Sequence, residues 1–521
     1  MSLKLTISDI KKSYSLLKQK AQEEYAQGHF ANAWRVMNEA VSLIVEFNWE
    51  YTDDDLEQLL QQIAEKWLPQ IPISNSQPPI NNRVVVLDDW CTSYVLVLQY
   101  IDALAAAGKE ILYITSKDIQ NSNRKNIISR ISQYPKLTYQ IIPNISMPID
   151  KWVLDVYRRI IDYQPSKVIA HIGPCSYFLP VIARLPENFP TYRSNLDDQC
   201  FWLGRSVIDY SLEFRPFGVA VSRERRKLKP EQQLYVPFYP VVDGNPFEGF
   251  PKLPKDSVIL FSGGDFYKTL DPDYTFWNLV KQVLQDNPKA VLLFATKNGL
   301  RTQQDFLDRF VKENHLEKQF IFIGFRPDIN EVFAHADIFL GTCPVCGSLT
   351  SQLAAMNHKP ILQYYLPETD DDETEQALNY NNPDLQLSFT DKDAFLAEAK
   401  HLINDADYRK QRGELAYQST FKPEQFNRVF IDAITTNVAP CPTKKVDYAE
   451  VARRWFWPEQ MGFDNHLSYL EPMLKREGLL RKMPSLWLKY NYQRYFANKL
   501  FSMAWYKYKI KVIGERLKIK G

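Results

Sequence analysis

The sequence predicts an α/β protein with two doubly wound, Rossmann-like domains that face a cleft, a helical N-terminal extension and a helical, basic C-terminal tail. A chain of 521 residues is long enough for two such domains and extensions. Short apolar runs typical of buried parallel strands alternate with helical segments, and this rhythm occurs twice. The predicted units are residues 1–75, 80–250, 251–440 and 441–521.

The N-terminal extension shows a helical pattern over residues 7–68. Small residues within 21–40 would let two helices pack closely, as in a tetratricopeptide hairpin, but a single unit predicts no repeat array. A linker rich in Pro, Ser and Asn follows at 69–82. We favour a helical cap on the first domain over a docking surface for another protein.

The first domain opens with an apolar strand at 84–87, and further strands are predicted at 111–115 and 168–171. Ligands of doubly wound sheets gather at the carboxyl ends of the strands, so polar residues there are site candidates. Asp88 follows the first of these strands and His171 ends the third. We predict both as catalytic groups, with a merely structural histidine as the alternative.

Two adjacent carboxylates, Asp197 and Asp198, lie in an aromatic, glycine-containing run at 192–209. A carboxylate in such surroundings can have a raised pKa and act as a general base. We predict Asp198 as that base. The structural alternative is a helix cap or an ion pair with Arg193.

In the second domain a strand at 258–262 leads into Gly263 and Gly264, and Lys268 follows. Glycines let a phosphate approach the backbone, and a lysine can neutralise charge that develops on a leaving diphosphate. We predict that these three residues bind a phosphate-bearing ligand. A β-turn with a solvated lysine is the alternative.

A later strand, at 319–323, ends in Gly324, Phe325 and Arg326. The backbone at such a strand end can pair with a nucleobase, and Phe325 or Arg326 can stack on the base. We predict all three residues in a nucleotide site. An ordinary strand end followed by a helix cap at Asp328 is the alternative.

The most informative signal is a loop of small residues between the strand at 337–340 and the next helix. Its members are Gly347, Ser348, Leu349, Thr350 and Ser351. Small residues at a helix start leave backbone N–H groups accessible, and the helix dipole adds partial positive charge. The loop therefore predicts a diphosphate site, with simple close packing as the alternative.

No metal site is predicted. Cys343 and Cys346 form a CxxC, but no second CxxC or HxxxH completes a zinc site, so we interpret them as small loop residues. The acidic run at 368–375 could bind hydroxyl groups or a divalent ion, although we favour a solvated loop. The six cysteines are scattered, which fits a reducing cytoplasm.

The charge is uneven although the net charge is only +1. Residues 475–521 hold 13 Lys and Arg and 2 Asp and Glu, a net charge of +11, interleaved with aromatics. This pattern indicates peripheral contact with an anionic membrane, or packing on the fold. No recognition motif for nucleic acid accompanies it, so no nucleic-acid partner is expected. No signal peptide or membrane-spanning run is seen, so we expect a cytoplasmic protein, and the inner membrane face is the surface that the tail would contact if it binds lipid.

Together these segments resemble GT-B glycosyltransferases over residues 80–440. Within that group the sequence looks most like the cytoplasmic bacterial N-glycosyltransferases that put hexose on adhesins, which are relatives of O-GlcNAc transferase. The similarity lies in the helical N-terminal region, the run that contains Asn195, Asp198 and 201–204, the Lys268 segment and the loop at 347–351.

The resemblance implies that Lys268 and residues 347–351 bind the diphosphate of UDP. Leu196 and Gln199 stand where the family usually carries histidines. Many retaining GT-B enzymes have a Glu-x7-Glu pair near this loop, and Cys346 and Ala354 occupy the equivalent positions here. The absence of both carboxylates favours an inverting mechanism, or a catalytically silent subunit.

The prediction is therefore a hexosyltransferase that takes its sugar from a nucleotide sugar, UDP-linked, and transfers it to a protein or glycan acceptor. No cofactor and no metal are expected. The alternatives are a non-catalytic GT-B subunit that binds acceptor protein for an active partner, and a sugar-nucleotide epimerase of the same fold.

Overall fold

Two parallel β-sheets, each covered by helices, make up most of the chain. The structure, a computed structural model, describes residues 6–70, 79–89, 96–118, 125–242, 244–296, 301–366, 375, 378–382 and 384–448. The basic tail at 475–521 and all of the acidic run at 368–375 except Glu375 lie outside the described residues. The predicted two-domain α/β architecture with a helical N-terminus is confirmed.

The N-terminal extension consists of α1 Ile7–Ala26, α2 Phe30–Phe47 and α3 Asp54–Trp67. Thr6 and Asp9 begin α1 with a capping box, in which each side chain accepts from the other residue's backbone N–H. Gly28, with φ at 78°, lets the chain turn into α2. Trp34 of α2 belongs to one continuous apolar core with Trp152 of the first domain. The extension is thus a cap on that domain.

The strands of the first domain are β1 Ile80–Asp88, β2 Glu110–Thr115, β3 Leu137–Ile141, β4 Pro165–His171, β5 Thr191–Ser194, β6 Tyr210–Glu213 and β7 Gln233–Tyr235. In the described residues they form one parallel sheet in the order β3-β2-β1-β4-β5-β6-β7. The order changes direction between β1 and β4, which is where a doubly wound sheet opens a crevice. Asp88 and His171 are register partners across these two strands. The two predicted polar strand ends are therefore neighbours.

Helices cover both faces of this sheet because its central strands are apolar on both sides. They are α4 Val97–Ala106, α5 Lys125–Ile131, α6 Ile149–Tyr163, α7 Leu179–Ile182 and α8 Pro216–Glu224. Pro216 begins α8, where a proline costs no hydrogen bond.

The second domain repeats the plan with β8 Val258–Gly263, β9 Ala290–Ala295, β10 Phe320–Phe322, β11 Ile338–Leu340, β12 Ile361–Tyr364 and β13 Ser388–Phe389. The described strands form a parallel sheet in the order β10-β9-β8-β11-β12-β13. Its helices are α9 Thr275–Asp286, α10 Arg301–Glu313, α11 Ile329–His335, α12 Ser348–Met356, α13 Lys392–Asn404, α14 Ala406–Ser419 and α15 Pro423–Thr436.

The last of these helices belongs to the first domain by its packing. The rings of Phe426 and Phe430 in α15 lie 5.5 and 5.2 Å from the ring of Tyr100 in α4, edge to face. The hydroxyl of Tyr192 in β5 donates to Asn437 at 2.5 Å. A sequence boundary at residue 440 groups α15 with the second domain, whereas its apolar face completes the core of the first.

Glu57 in α3 fastens the extension to the loop that follows β5. Its buried carboxylate accepts from the backbone N–H groups of Gly204 at 2.9 Å, Arg205 at 3.2 Å and Ser206 at 3.0 Å. The Ser206 hydroxyl donates to it at 2.7 Å. One side chain thus satisfies a turn that would otherwise leave three amides without an acceptor.

Glu57→Ala is expected to lower the free energy of unfolding by about 2–4 kcal/mol, because charge-assisted hydrogen bonds are lost and partly buried amides stay unpaired. Urea unfolding followed by tryptophan fluorescence measures this change. Glu65→Ala, at an exposed position of α3, is the matched control and should stay within about 0.5 kcal/mol of the parent chain. Equal midpoints for both variants would show that other contacts hold the loop.

Candidate active site

The two domains touch beside the carboxyl edges of their sheets. Leu96, Phe214 and Phe238 form a buried apolar cluster against Leu196, in the loop after β5, and Leu349, in the first turn of α12. The loop predicted to carry the base and the loop predicted to hold a diphosphate therefore lie side by side across one cleft.

Gly263 ends β8 at a point that leaves no room for a side chain. A Cβ there would clash with the carbonyl oxygen of Ala295 in β9. Gly264 follows with φ at 146°, which L side chains rarely adopt, and its N–H donates to the same carbonyl at 3.0 Å. Both glycines are thus required by the turn that leads to Lys268.

Lys268 lies against the start of α12. Its ammonium nitrogen is 3.8 Å from the point where a Cβ on Gly347 would stand. The Lys268 carbonyl also accepts from the Val345 N–H at 3.3 Å, which fixes the two loops to each other. Within the part of the chain that the structure describes, the half-buried ammonium has neither a hydrogen bond nor an ion pair. Two predicted phosphate-binding segments, about 80 residues apart in sequence, therefore meet.

The first turn of α12 has the geometry of an anion site. Gly347 begins the helix without a side-chain cap, and the first amides of a helix have no intrahelical acceptor. Ser348, Leu349 and Thr350 are half-buried along this turn. The Ser351 hydroxyl is buried and donates to the Gly347 carbonyl at 3.1 Å, so it supports the helix itself. The positive end of the helix dipole and the Lys268 ammonium both favour a negatively charged ligand.

The three residues after β10 that are predicted to contact a nucleotide lie in different environments. Arg326 is buried and its guanidinium donates to Asp328 at 2.7 and 2.5 Å and to the Gly249 carbonyl at 2.8 Å. This ion pair holds the pKa of Asp328 below its usual value, against the effect of burial. Phe325, by contrast, is 45% exposed, and Gly324 with φ at 69° turns the chain there. Arg326 thus binds the segment between the two domains through Gly249, whereas the aromatic ring of Phe325 is exposed.

His171 and Asp88 form a buried pair at the switch point of the first sheet. His171 Nδ1 lies 2.9 Å from Asp88 Oδ1, and the Tyr113 hydroxyl donates to Asp88 Oδ2 at 2.7 Å. With Nδ1 facing the carboxylate, Nε2 is the ring nitrogen left to meet another group. That nitrogen is buried and has no hydrogen-bond partner among the described residues. The pair is oriented as a proton acceptor would be.

Asp198 is fully buried and paired with Arg215, not with Arg193. The guanidinium donates to both carboxylate oxygens, at 2.6 and 2.7 Å. Gly218 in α8 makes this pair possible, because a Cβ there would lie 2.8 Å from Asp198 Oδ2. A bidentate buried pair holds a loop well, and it leaves both carboxylate oxygens engaged.

Asp197 is the carboxylate that the sequence prediction passed over. It is 7% exposed and has no side-chain hydrogen bond in the described residues. Burial raises its pKa to about 7, although Arg193 and Arg226 oppose the shift. The two adjacent carboxylates identify this loop in the sequence as a candidate site. Only the fold decides which of them forms the ion pair with Arg215.

The cysteines of the CxxC are buried and are not joined by a disulfide. Cys343 belongs to the apolar core of the second domain. Among the described residues no cluster of three or more His, Cys, Asp or Glu side chains could hold a metal ion. Across the same residues, no helix has both the length and the apolar character that a bilayer crossing requires.

No protein-family model matches the chain, and no curated protein matches its sequence. Solved structures do match. A mutant of the Thermobaculum terrenum O-GlcNAc transferase aligns with a TM-score of 0.50 at 14% identity, over 84% of this chain and 85% of that one. A glycosyltransferase from Rickettsia africae ESF-5 aligns with a TM-score of 0.50 at 11% identity, over 68% of this chain and 98% of that one.

At such low identities the similarity concerns the fold. The chain has the GT-B architecture, with two Rossmann-like domains on either side of a cleft. The predicted fold class is confirmed on this basis, and the roles of individual residues stay predictions.

Proposed function

We propose that this chain is a hexosyltransferase that takes its sugar from a UDP-linked donor. The observation that carries the proposal is the Lys268 ammonium beside Gly347, at the uncapped start of α12 and at the edge of an interdomain cleft. A cation and a helix N-terminus at one point favour a group with two or more negative charges. In a GT-B fold the diphosphate of a nucleotide sugar meets that requirement.

The donor lies against the second domain. Gly263 and Gly264 keep the backbone clear beside the diphosphate, and Lys268 neutralises the charge that develops as the anomeric bond breaks. The exposed ring of Phe325 stacks on the nucleobase. Arg326 stabilises the wall of the site through its ion pair with Asp328.

The acceptor enters from the first domain, near the register partners Asp88 and His171 and the loop at 195–198. Transfer proceeds with inversion, because Cys346 and Ala354 stand where retaining relatives carry carboxylates. It requires no cofactor and no metal. The acceptor is a protein or a glycan, in line with the resemblance to adhesin N-glycosyltransferases. We place the enzyme in the cytoplasm, with residues 475–521 at an anionic membrane surface.

A thermal-shift comparison of UDP, GDP, CDP and ADP tests the donor site. A ligand present at about 100 times its dissociation constant stabilises the fold by about 2.7 kcal/mol, which raises the melting temperature measurably. We expect UDP to give the largest shift and uridine, which has no diphosphate, to give little. Lys268→Ala should reduce the UDP shift. Indifference to all four diphosphates would argue for the non-catalytic subunit.

Product analysis then separates the enzymatic alternatives. A glycosyltransferase forms glycoside from UDP-hexose only when an acceptor is present, with UDP as the other product. An epimerase consumes the sugar nucleotide without an acceptor and forms no glycoside. Chromatography of labelled sugar after incubation with and without acceptor distinguishes these results, and acceptor-independent consumption alone would exclude our proposal.

A further inference from the structure

Buried carboxylates in and beside the loop after β5 differ in the hydrogen bonds that they make. Asp198 is bound at both oxygens by Arg215. Glu213 accepts from the Asn195 amide at 2.6 Å. Asp197 is the buried acid of this set whose carboxylate lacks a hydrogen bond within the described chain. A carboxylate left in this state can accept a proton from an incoming group.

Asp197 also lies close to the contact between the domains. The preceding residue, Leu196, packs in the cluster that contains Leu349 from the first turn of α12. That turn adjoins the Lys268 ammonium through Gly347. The buried Asp197 thus follows directly, in the chain, the residue at which the first domain touches the proposed diphosphate loop.

The surroundings of Asp197 favour proton exchange near neutral pH. Burial raises its pKa to about 7; Arg193 and Arg226 lower it, and the charges of Asp198 and Asp89 raise it further. The thiols of Cys175 and Cys200 also lie within reach of its charge. A base whose pKa is close to the working pH is deprotonated in a large fraction of molecules and still binds the transferred proton strongly.

We infer that Asp197, and not its neighbour Asp198, is the general base of the glycosyl transfer; the inference rests on the function proposed above. The acceptor's nucleophilic atom gives its proton to the Asp197 carboxylate as it bonds to the anomeric carbon. The bond between that carbon and the diphosphate oxygen breaks, and its electron pair leaves with UDP, whose charge Lys268 and α12 neutralise. Asp197 then returns the proton to water.

The test is the pH dependence of kcat/KM for the full chain and for Asp197→Asn, which is nearly isosteric. The parent enzyme should lose activity below about pH 7 as Asp197 takes up a proton. The variant should be about 10²–10⁴-fold slower at pH 8 and should lack this acid limb, with an unchanged dissociation constant for UDP. Asp197→Glu should recover part of the rate and the limb.

His171→Gln is the competing variant. Loss of the acid limb in His171→Gln, with the limb intact in Asp197→Asn, would overturn the assignment and leave glycosyl transfer standing. Asp197→Asn at parental rate would overturn it as well. A parent chain that neither binds UDP nor forms glycoside would remove the proposed function and this inference together.

A stability measurement checks the protonation without turnover. Between about pH 4 and 7 folded Asp197 holds its proton while the unfolded carboxyl has lost it. The folded state then binds more protons, so this group's stabilising contribution falls as the pH rises from about 4 to about 7 and is constant above that. Relative to Asp197→Asn, the parent chain should melt at progressively lower temperature from pH 5 to about 7, and the difference should then level off toward pH 8. A constant difference over that range would contradict the raised pKa and overturn the assignment.

Discussion

Replacing Lys268 by alanine should reduce kcat with UDP-hexose by about 10²–10³-fold, a loss comparable to removal of one strong stabilising group from a transition state. The physical reason is position. The ammonium lies beside the first turn of α12, near Gly347. In the proposed mechanism, charge accumulates on the diphosphate at this point as the sugar departs. The loss should fall more on kcat than on KM, because the charge is greater in the transition state than in the bound donor.

The fold should tolerate this change, since the Lys268 ammonium makes no hydrogen bond or ion pair with the described residues. Lys281→Ala, at an exposed position of α9, removes the same charge from the same domain and should leave kcat unchanged. Steady-state kinetics with circular dichroism of both variants measures the effect. Full activity of a folded Lys268→Ala would refute the diphosphate assignment.

Replacing Arg215 by alanine should destabilise the first domain by about 3–5 kcal/mol, because Asp198 would remain as an uncompensated buried charge. The double variant Asp198→Leu with Arg215→Met removes both charges at similar volume. It should regain most of the lost free energy of unfolding, since a buried ion pair costs desolvation that apolar groups do not. Urea unfolding of the parent chain, of the single variants Asp198→Leu and Arg215→Met, and of the double variant gives the four free energies of unfolding that a double-mutant cycle requires.

The pair Asp155 and Arg159, exposed on α6, is the matched control. Arg159→Ala should change the free energy of unfolding by no more than about 1 kcal/mol. The same series tests the sequence prediction for Asp198. If Asp198→Asn abolished turnover while its unfolding midpoint stayed at the parental value, Asp198 would be a base and our choice of Asp197 would be wrong.

The sequence was sufficient for the architecture because the architecture depends on local patterns. Apolar runs bounded by glycine and polar residues marked β1, β4 and β8 within a few residues of their true ends. The small residues at the start of α12 predicted an uncapped helix start there, which the structure has at Gly347, and its role as an anion site stays a prediction. The strand register then brought Asp88 to His171, as expected for neighbouring parallel strands.

What the sequence by itself determined was therefore the order of elements, the two-domain GT-B plan and the segments that meet at the cleft. Which side chain in each segment remains open was decided only by tertiary packing. Arg215 lies 17 residues from Asp198 and binds both of its carboxylate oxygens, and Asp328 binds Arg326 in the same way. Among the described residues the buried Asp197 carboxylate is left without a hydrogen bond, and the Phe325 ring is left exposed. Local pattern selects backbone conformation, whereas the partner of a buried charge is set by whichever group the fold brings within about 3 Å.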